Sequence, residues 1–135
     1  MWHYNGVEFT EDLIDKSFGF VYCITNLSSG RRYIGKKLFT KSGRKQTKGK
    51  IKKVRVTSDW LDYYGSNKEL QEDVVKNGAD TFHREILYLC ATRSECSYRE
   101  TQEIFSRGVL LTENYYNSWC SVKIHKAHVL NKIRQ

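Results

Sequence analysis

At 135 residues and 15.9 kDa the chain has room for one domain, residues 1–135, with a modest core; a chain of this size buries roughly 65–70% of its unfolded surface. Its 23 Lys/Arg against 15 Asp/Glu give a net charge of +8, and no apolar run approaches the roughly eighteen residues of a membrane span. The polar, aromatic start and four cysteines without a C-x-x-C pattern predict reduced thiols in an intracellular, cytoplasmic protein with no membrane partner.

The first predicted element is a hairpin. Phe20–Thr25 is rich in aromatic and β-branched residues and reads as a strand. Asn26-Leu27-Ser28-Ser29-Gly30 carries turn chemistry, and Arg32–Lys36 reads as a second strand. Alternation places Phe20, Tyr22 and Ile24 on one face and Val21 and Cys23 on the other.

A basic insertion follows, at 36–57. It holds ten Lys/Arg and no Asp or Glu, leaving 13 basic against 15 acidic residues in the rest of the chain. Gly43 and Gly49 interrupt it and apolar residues are sparse, so it reads as a loop with no fold of its own. Asp59–Tyr64 suggests a short helix capped by Ser58. Ser66 with Glu69 forms a capping-box pattern opening a helix that Gly78 stops. Phe82–Cys90 reads as a third strand. Thr92 with Glu95 opens a further helix, running to about Arg107. The tail, 118–135, has Lys123, Lys126, Lys132 and Arg134 and no acid. The order predicts an α+β fold: a small antiparallel sheet of about three strands flanked by helices.

Three features carry candidate chemistry. The basic insertion calls for an anionic partner, and nucleic acid suits it better than a membrane surface, which would want an apolar helical face. Its candidate contacts are Lys36, Lys37, Arg44, Lys45, Lys48, Lys50, Lys52 and Lys53, with Lys123 and Lys126 from the tail. Tyr22 and Tyr33 pair across the hairpin. Such a pair is ordinarily a packed aromatic contact. A phenol serves as a base only where nearby cations favour the phenolate, and the insertion supplies cations close in sequence. Glu100 shares a helical stripe with Cys96 and Ile104, so its carboxylate is a boundary residue, an ion-pair partner or a metal ligand.

These residues together form a pattern. Gly19-Phe20-Val21-Tyr22, followed after ten residues by Tyr33-Ile34-Gly35, resembles the two half-motifs of the GIY-YIG nuclease family. Phe-Val-Tyr stands where Gly-Ile-Tyr is usual. Gly65–Leu70, Phe82–Leu87, the Tyr98–Ile104 helix and Tyr116-Asn117 resemble later family elements in the same order. The insertion and tail look most like small phage-encoded members.

The resemblance implies a GIY-YIG-type fold and a metal-dependent DNA endonuclease acting on double-stranded DNA. One divalent ion, Mg²⁺ or Mn²⁺, would be held through Glu100. Tyr22 would accept a proton from the attacking water or place it, Tyr33 would hydrogen-bond within the site, and Asn117 is the closing asparagine. An arginine that holds the phosphate is expected about ten residues after Tyr33, which points to Arg44. Arg55, where the chain rejoins the core, is slightly favoured because a clamp needs a rigid mount. A one-site monomer would nick one strand; cutting both would need a homodimer or two successive events. No protein partner is implied. The alternative is a non-catalytic nucleic-acid-binding module that uses only the 36–57 segment.

Overall fold

A computed structural model describes residues 1–133; Arg134 and Gln135, the end of the predicted basic tail, lie outside the described residues. The fold is α+β, as the element order implies, but its main sheet has five strands rather than about three. The strands are β1 (Trp2–Tyr4), β2 (Val7–Glu8), β3 (Gly19–Asn26), β4 (Arg32–Leu38) and β7 (Phe82–Cys90) in the order β2-β1-β7-β3-β4. The sheet is mixed, because β1 runs parallel to β7 while the other neighbours are antiparallel. The N-terminal hairpin of β1 and β2, which the predicted elements do not include, turns at Asn5-Gly6. Both residues have positive φ, as a tight two-residue turn requires.

The second correction is larger. The basic insertion is not an irregular loop. It is a two-stranded ribbon, β5 (Thr40–Thr47) and β6 (Lys50–Thr57), paired along all eight positions. Lys48 and Gly49 turn its tip with φ of 52° and 76°. Its start was also misplaced, since Lys36 and Lys37 belong to β4.

β3 is the centre of the fold. Phe20, Tyr22 and Ile24 pack on one face with Trp2, Phe9, Phe39, Trp60 and Leu70. Val21 and Cys23 pack on the other with Ile34, Cys90, Cys96 and Ile104. The predicted alternation therefore holds, despite a bulge between Val21 and Tyr22 where β3 meets β7.

Helix α1 (Lys68–Asn77) covers the first face through Leu70 and Val74. Its cap is Asn67, which accepts from the Leu70 amide, and not Ser66. Glu69 pairs instead with Arg31. Helix α2 (Arg93–Ser106) covers the second face. Here the capping pattern is realised: Thr92 accepts from the Glu95 amide, and Glu95 reaches back to the amide of Ala91. The expected Asp59–Tyr64 helix is a single 3₁₀ turn over Trp60–Asp62, and Ser58 spends its hydroxyl on the Leu38 carbonyl. Among the described residues of the tail only Lys126–Val129 is helical (α3).

The ribbon is mounted by its root. Phe39 and Trp60 are buried, and their rings meet edge to face at 5.0 Å. The Phe39 amide donates to the Phe18 carbonyl, and the Ser58 amide donates to the Phe39 carbonyl. Trp60→Ala is expected to cost about 3–5 kcal/mol, measured by urea denaturation, and to loosen the ribbon with the core.

Candidate active site

The site lies along the free edge of β4. The segment before the tail covers half of that edge. The Arg32 amide donates to the Asn114 carbonyl, and the Tyr116 amide donates to the Arg32 carbonyl. One residue on, the Asn117 side chain takes over. Its carboxamide accepts from the Ile34 amide at 3.0 Å and donates to the Ile34 carbonyl at 2.8 Å. Asn117 thus mimics a strand residue with its side chain, and the chain then leaves the sheet. Beyond Ile34 a cavity of about 300 Å³ opens, lined among others by Tyr22, Tyr33, Lys36, Ser66, Glu100 and Trp119.

Tyr22 reaches this cavity because Gly35 has no side chain. The two residues face each other across the β3–β4 pair, and a Cβ on Gly35 would stand 2.5 Å from the Tyr22 Cζ. Tyr22 is fully buried among aromatics, with Tyr33 at 6.2 Å and Tyr63 edge-on at 6.0 Å between ring centroids. Burial pushes its phenol well above the ordinary tyrosine value, and the neighbouring Tyr63, including a hydrogen bond to it, pushes the same way. This corrects the expectation that the basic insertion would favour a phenolate. Apart from Lys36, which lines the cavity, and Lys37, the insertion's cations extend away along the ribbon. Lys37, which lies over the Tyr63 ring at 4.1 Å, is neutralised by Asp59 at 2.6 Å. Tyr33 is also raised, chiefly by burial, and shares a 3.1 Å hydrogen bond with Ser66.

Glu100 approaches from α2, between the buried Cys96 and Ile104 one turn to either side. Burial raises its carboxyl above the usual range, and the charge of Lys36 only partly opposes this. The Lys36 ammonium donates to Ser97 at 2.7 Å. Among the described residues, no Lys, Arg or His lies within ion-pairing distance of Glu100.

A half-buried carboxylate with no paired cation among the described residues could hold a hard divalent ion. Among the described residues, no group of three or more His, Cys, Asp or Glu side chains could hold a metal, so this is no protein-enclosed cage. Mg²⁺ suits such a site, since it keeps several waters and takes one or two carboxylates together with substrate phosphates.

The structure thus brings Tyr22, Tyr33, Lys36, Glu100 and Asn117 together. It does not bring Arg55 into the cavity. Arg55 stands in a neighbouring notch with Lys36, Lys37, Lys41, Arg93, Thr40 and Ser42. There its guanidinium donates to the Thr40 carbonyl at 2.8 Å and lies 5.3 Å from the Phe18 ring. Arg44 lies further out, exposed on the ribbon, with Lys45, Lys48, Lys50, Lys52 and Lys53. Lys123 and Lys126 are exposed on the tail. Sequence reasoning missed Tyr63, Ser66 and Trp119. No local signal marks Tyr63, which is aimed at Tyr22 by the extended residue closing the 3₁₀ turn.

A family model described as "Putative endonuclease segE, GIY-YIG domain" matches residues 2–120. The chain belongs to the GIY-YIG family. It is also 35% identical over 101 residues to "Putative endonuclease segE" of Enterobacteria phage T4, a match covering 74% of this chain and 40% of that protein. The chain therefore spans less than half the length of that relative. No solved structure matches significantly. Within this GIY-YIG domain the first half-motif keeps its tyrosine, and Gly35, the last residue of the second, is the one that admits the Tyr22 phenol.

Two consequences can be measured. Gly35→Ala should displace the Tyr22 ring and destabilise the fold by about 1–3 kcal/mol, read by chemical denaturation. Glu100→Gln should stabilise it. A carboxyl raised by folding binds its proton more tightly in the native state, so stability falls as pH rises from the ordinary carboxylate range through the raised native value. The variant's Tm should match wild type at low pH and exceed it at neutral pH.

Proposed function

We propose that this protein is a metal-dependent DNA endonuclease that hydrolyses phosphodiester bonds. The observation that carries this reading is the convergence of Tyr22, Tyr33, Lys36 and Glu100 on one cavity, beside a cationic notch that shares Lys36. Membership of the GIY-YIG family and the name of the phage relative support it.

Glu100 would hold one Mg²⁺ or Mn²⁺. When bound, that ion supplies charge stabilisation at the phosphate. The remaining work falls to the chain. Lys36 places a positive charge at the cavity wall, where a scissile phosphate gains electrostatic support. Tyr22 enters the reaction as a neutral phenol, because burial and Tyr63 hold its proton on. Its oxygen orients the attacking water by hydrogen bonding, and the Tyr22–Tyr63 contact gives a route for a proton along two phenols. Tyr33 and Ser66 form a second hydroxyl pair on the opposite lip. Asn117 spends both ends of its amide on Ile34, so it is a positioning residue that fixes the β4 edge. Arg55 and its notch hold phosphate next to the reacting one. Trp119, 74% exposed at the rim, offers an indole face to a nucleobase. One cavity per chain cuts one strand, so double-strand cleavage takes a second copy or a second event.

Supercoiled plasmid incubated with the protein tests the reading. Nicked or linear product is expected with Mg²⁺ or Mn²⁺ and none with chelator. Glu100→Ala should fall to background and Tyr22→Phe should lose about 10²-fold or more. Because protons compete with the ion for the Glu100 carboxylate, the Mg²⁺ concentration needed for half-maximal cleavage should fall as pH rises. Plasmid that is shifted but intact in every lane would instead identify a DNA-binding module without catalysis.

A further inference from the structure

The ribbon has more structure than a phosphate-tracking segment needs. It pairs with no strand of the main sheet. Eight residues per strand give it a reach of ~26 Å at about 3.3 Å per residue. All its residues are exposed except Thr40, Gly43 and Val54, which are partly covered. Directly opposed partners include Arg44 with Lys53 and Lys45 with Lys52. Like charges facing each other weaken a strand pair, and a lone two-stranded hairpin is marginal to begin with. An anion alongside reverses the first penalty.

The register separates two faces with different chemistry. Partners across an antiparallel pair share a face. Ser42 with Arg55, Arg44 with Lys53 and Gln46 with Ile51 therefore project on one side. Lys41 with Val56, Gly43 with Val54, Lys45 with Lys52 and Thr47 with Lys50 project on the other, which is apolar near the root and cationic towards the tip. The root of the first face is fixed by contacts. Arg55 bonds Thr40 and Ser42, and all three line the notch that shares Lys36 with the candidate active site. The face carrying Arg44, Gln46, Ile51 and Lys53 is thus the one continuous with the wall of the reacting site.

These four side chains match base edges rather than phosphates alone. Arginine and lysine pair with guanine O6 and N7, glutamine pairs with adenine N6 and N7, and an apolar side chain meets the thymine methyl. Beyond Val54 and Val56, the outer half of the opposite face offers Lys45, Lys50 and Lys52, point charges on long stems that reach phosphates. The major groove is about 12 Å wide and admits a two-stranded ribbon. At ~26 Å the ribbon is far longer than the groove is deep (about 8.5 Å), so it would lie along the groove.

We propose that the β5–β6 ribbon lies in the major groove of duplex DNA with Arg44, Gln46, Ile51 and Lys53 towards the base edges, making it the sequence-reading arm of the domain. This rests on the DNA-directed function proposed above. Lys45, Lys50 and Lys52 grip the phosphates of the groove walls, and the rigid root carries the register of reading to the cavity.

The test uses the full chain carrying Glu100→Gln, which leaves bound DNA uncut, on a duplex selected by binding from a random-sequence pool. Dimethyl sulfate reports guanine N7 in the major groove and adenine N3 in the minor groove within one experiment. Protection of guanine N7 is expected. Arg44→Ala and Gln46→Ala should each reduce preference for the selected over a scrambled duplex by about tenfold. Lys45→Gln and Lys52→Gln should weaken both duplexes equally and lower the salt slope by about 0.9 per lost contact. Protection confined to adenine N3, or Arg44→Ala and Gln46→Ala variants with unchanged preference, would overturn the proposal. Plasmid nicking by the wild type in Mg²⁺, run in parallel, separates the two readings. Nicking without guanine N7 protection overturns the ribbon's placement alone, whereas protection without nicking overturns cleavage and upholds the ribbon. Absence of any DNA binding overturns both.

Discussion

Tyr22 crosses the backbone of Gly35, and the rest of the site is arranged around that contact. Tyr22 belongs to the most buried strand of the sheet, so its ring is held by aromatic packing on several sides. Gly35 belongs to the edge strand, where a chain that stops pairing leaves room for a ligand. The absent side chain joins the two: the phenol of a core residue reaches a surface cavity without leaving the core. A tyrosine mounted in this way has little freedom to move, and its environment keeps it protonated.

The edge of β4 is handled with the same economy. Open strand edges invite pairing with another chain. Residues 114–117 close the first part of this edge, ending with the Asn117 amide on the peptide of Ile34. What stays open is the Gly35–Lys36 stretch, opposite Glu100 on α2. Coverage therefore stops where the cavity begins. Beyond the cavity the chain continues through Leu38 and the buried Phe39 into the ribbon. One strand thus passes from site to notch to arm, linking local geometry to the electrostatics of the whole domain.

The two titratable groups at the centre are held in their neutral direction. Glu100 is raised by burial and Tyr22 by burial and a second phenol. At neutral pH the first costs stability and leaves a carboxylate underpartnered among the described residues, whereas the second costs nothing there, because the phenol is protonated in the folded and unfolded chain alike. Natural sites accept such costs where function requires it. Apart from Lys36 at the cavity wall, the excess positive charge is concentrated on the ribbon and tail, where it can meet a polyanion away from Tyr22.

The sequence by itself determined the β3–β4 hairpin, its alternation, helix α2 with its cap, and the stripe that puts Glu100 between Cys96 and Ile104. These depend on short-range rules: period two, period 3.6, and a hydroxyl three residues before a carboxylate. The half-motifs around Tyr22 and Tyr33 made the family legible for the same reason. Asn5-Gly6 and Lys48-Gly49 carried turn signals for two further hairpins. The second was masked by lysines, which are poor strand formers, so a charge run looked like a loop. Packing alone set that Tyr63 meets Tyr22, that Asn117 mimics a strand, that Arg55 stands outside the cavity and that, of the insertion's cations, Lys36 faces the cavity while those of the ribbon extend away. Each is a contact between segments set by packing, as with Tyr63 and Tyr22, 41 positions apart, or by the course of a chain whose near neighbours in sequence diverge in space. Spacing along a sequence constrains a helix face or a strand face, but not which faces meet.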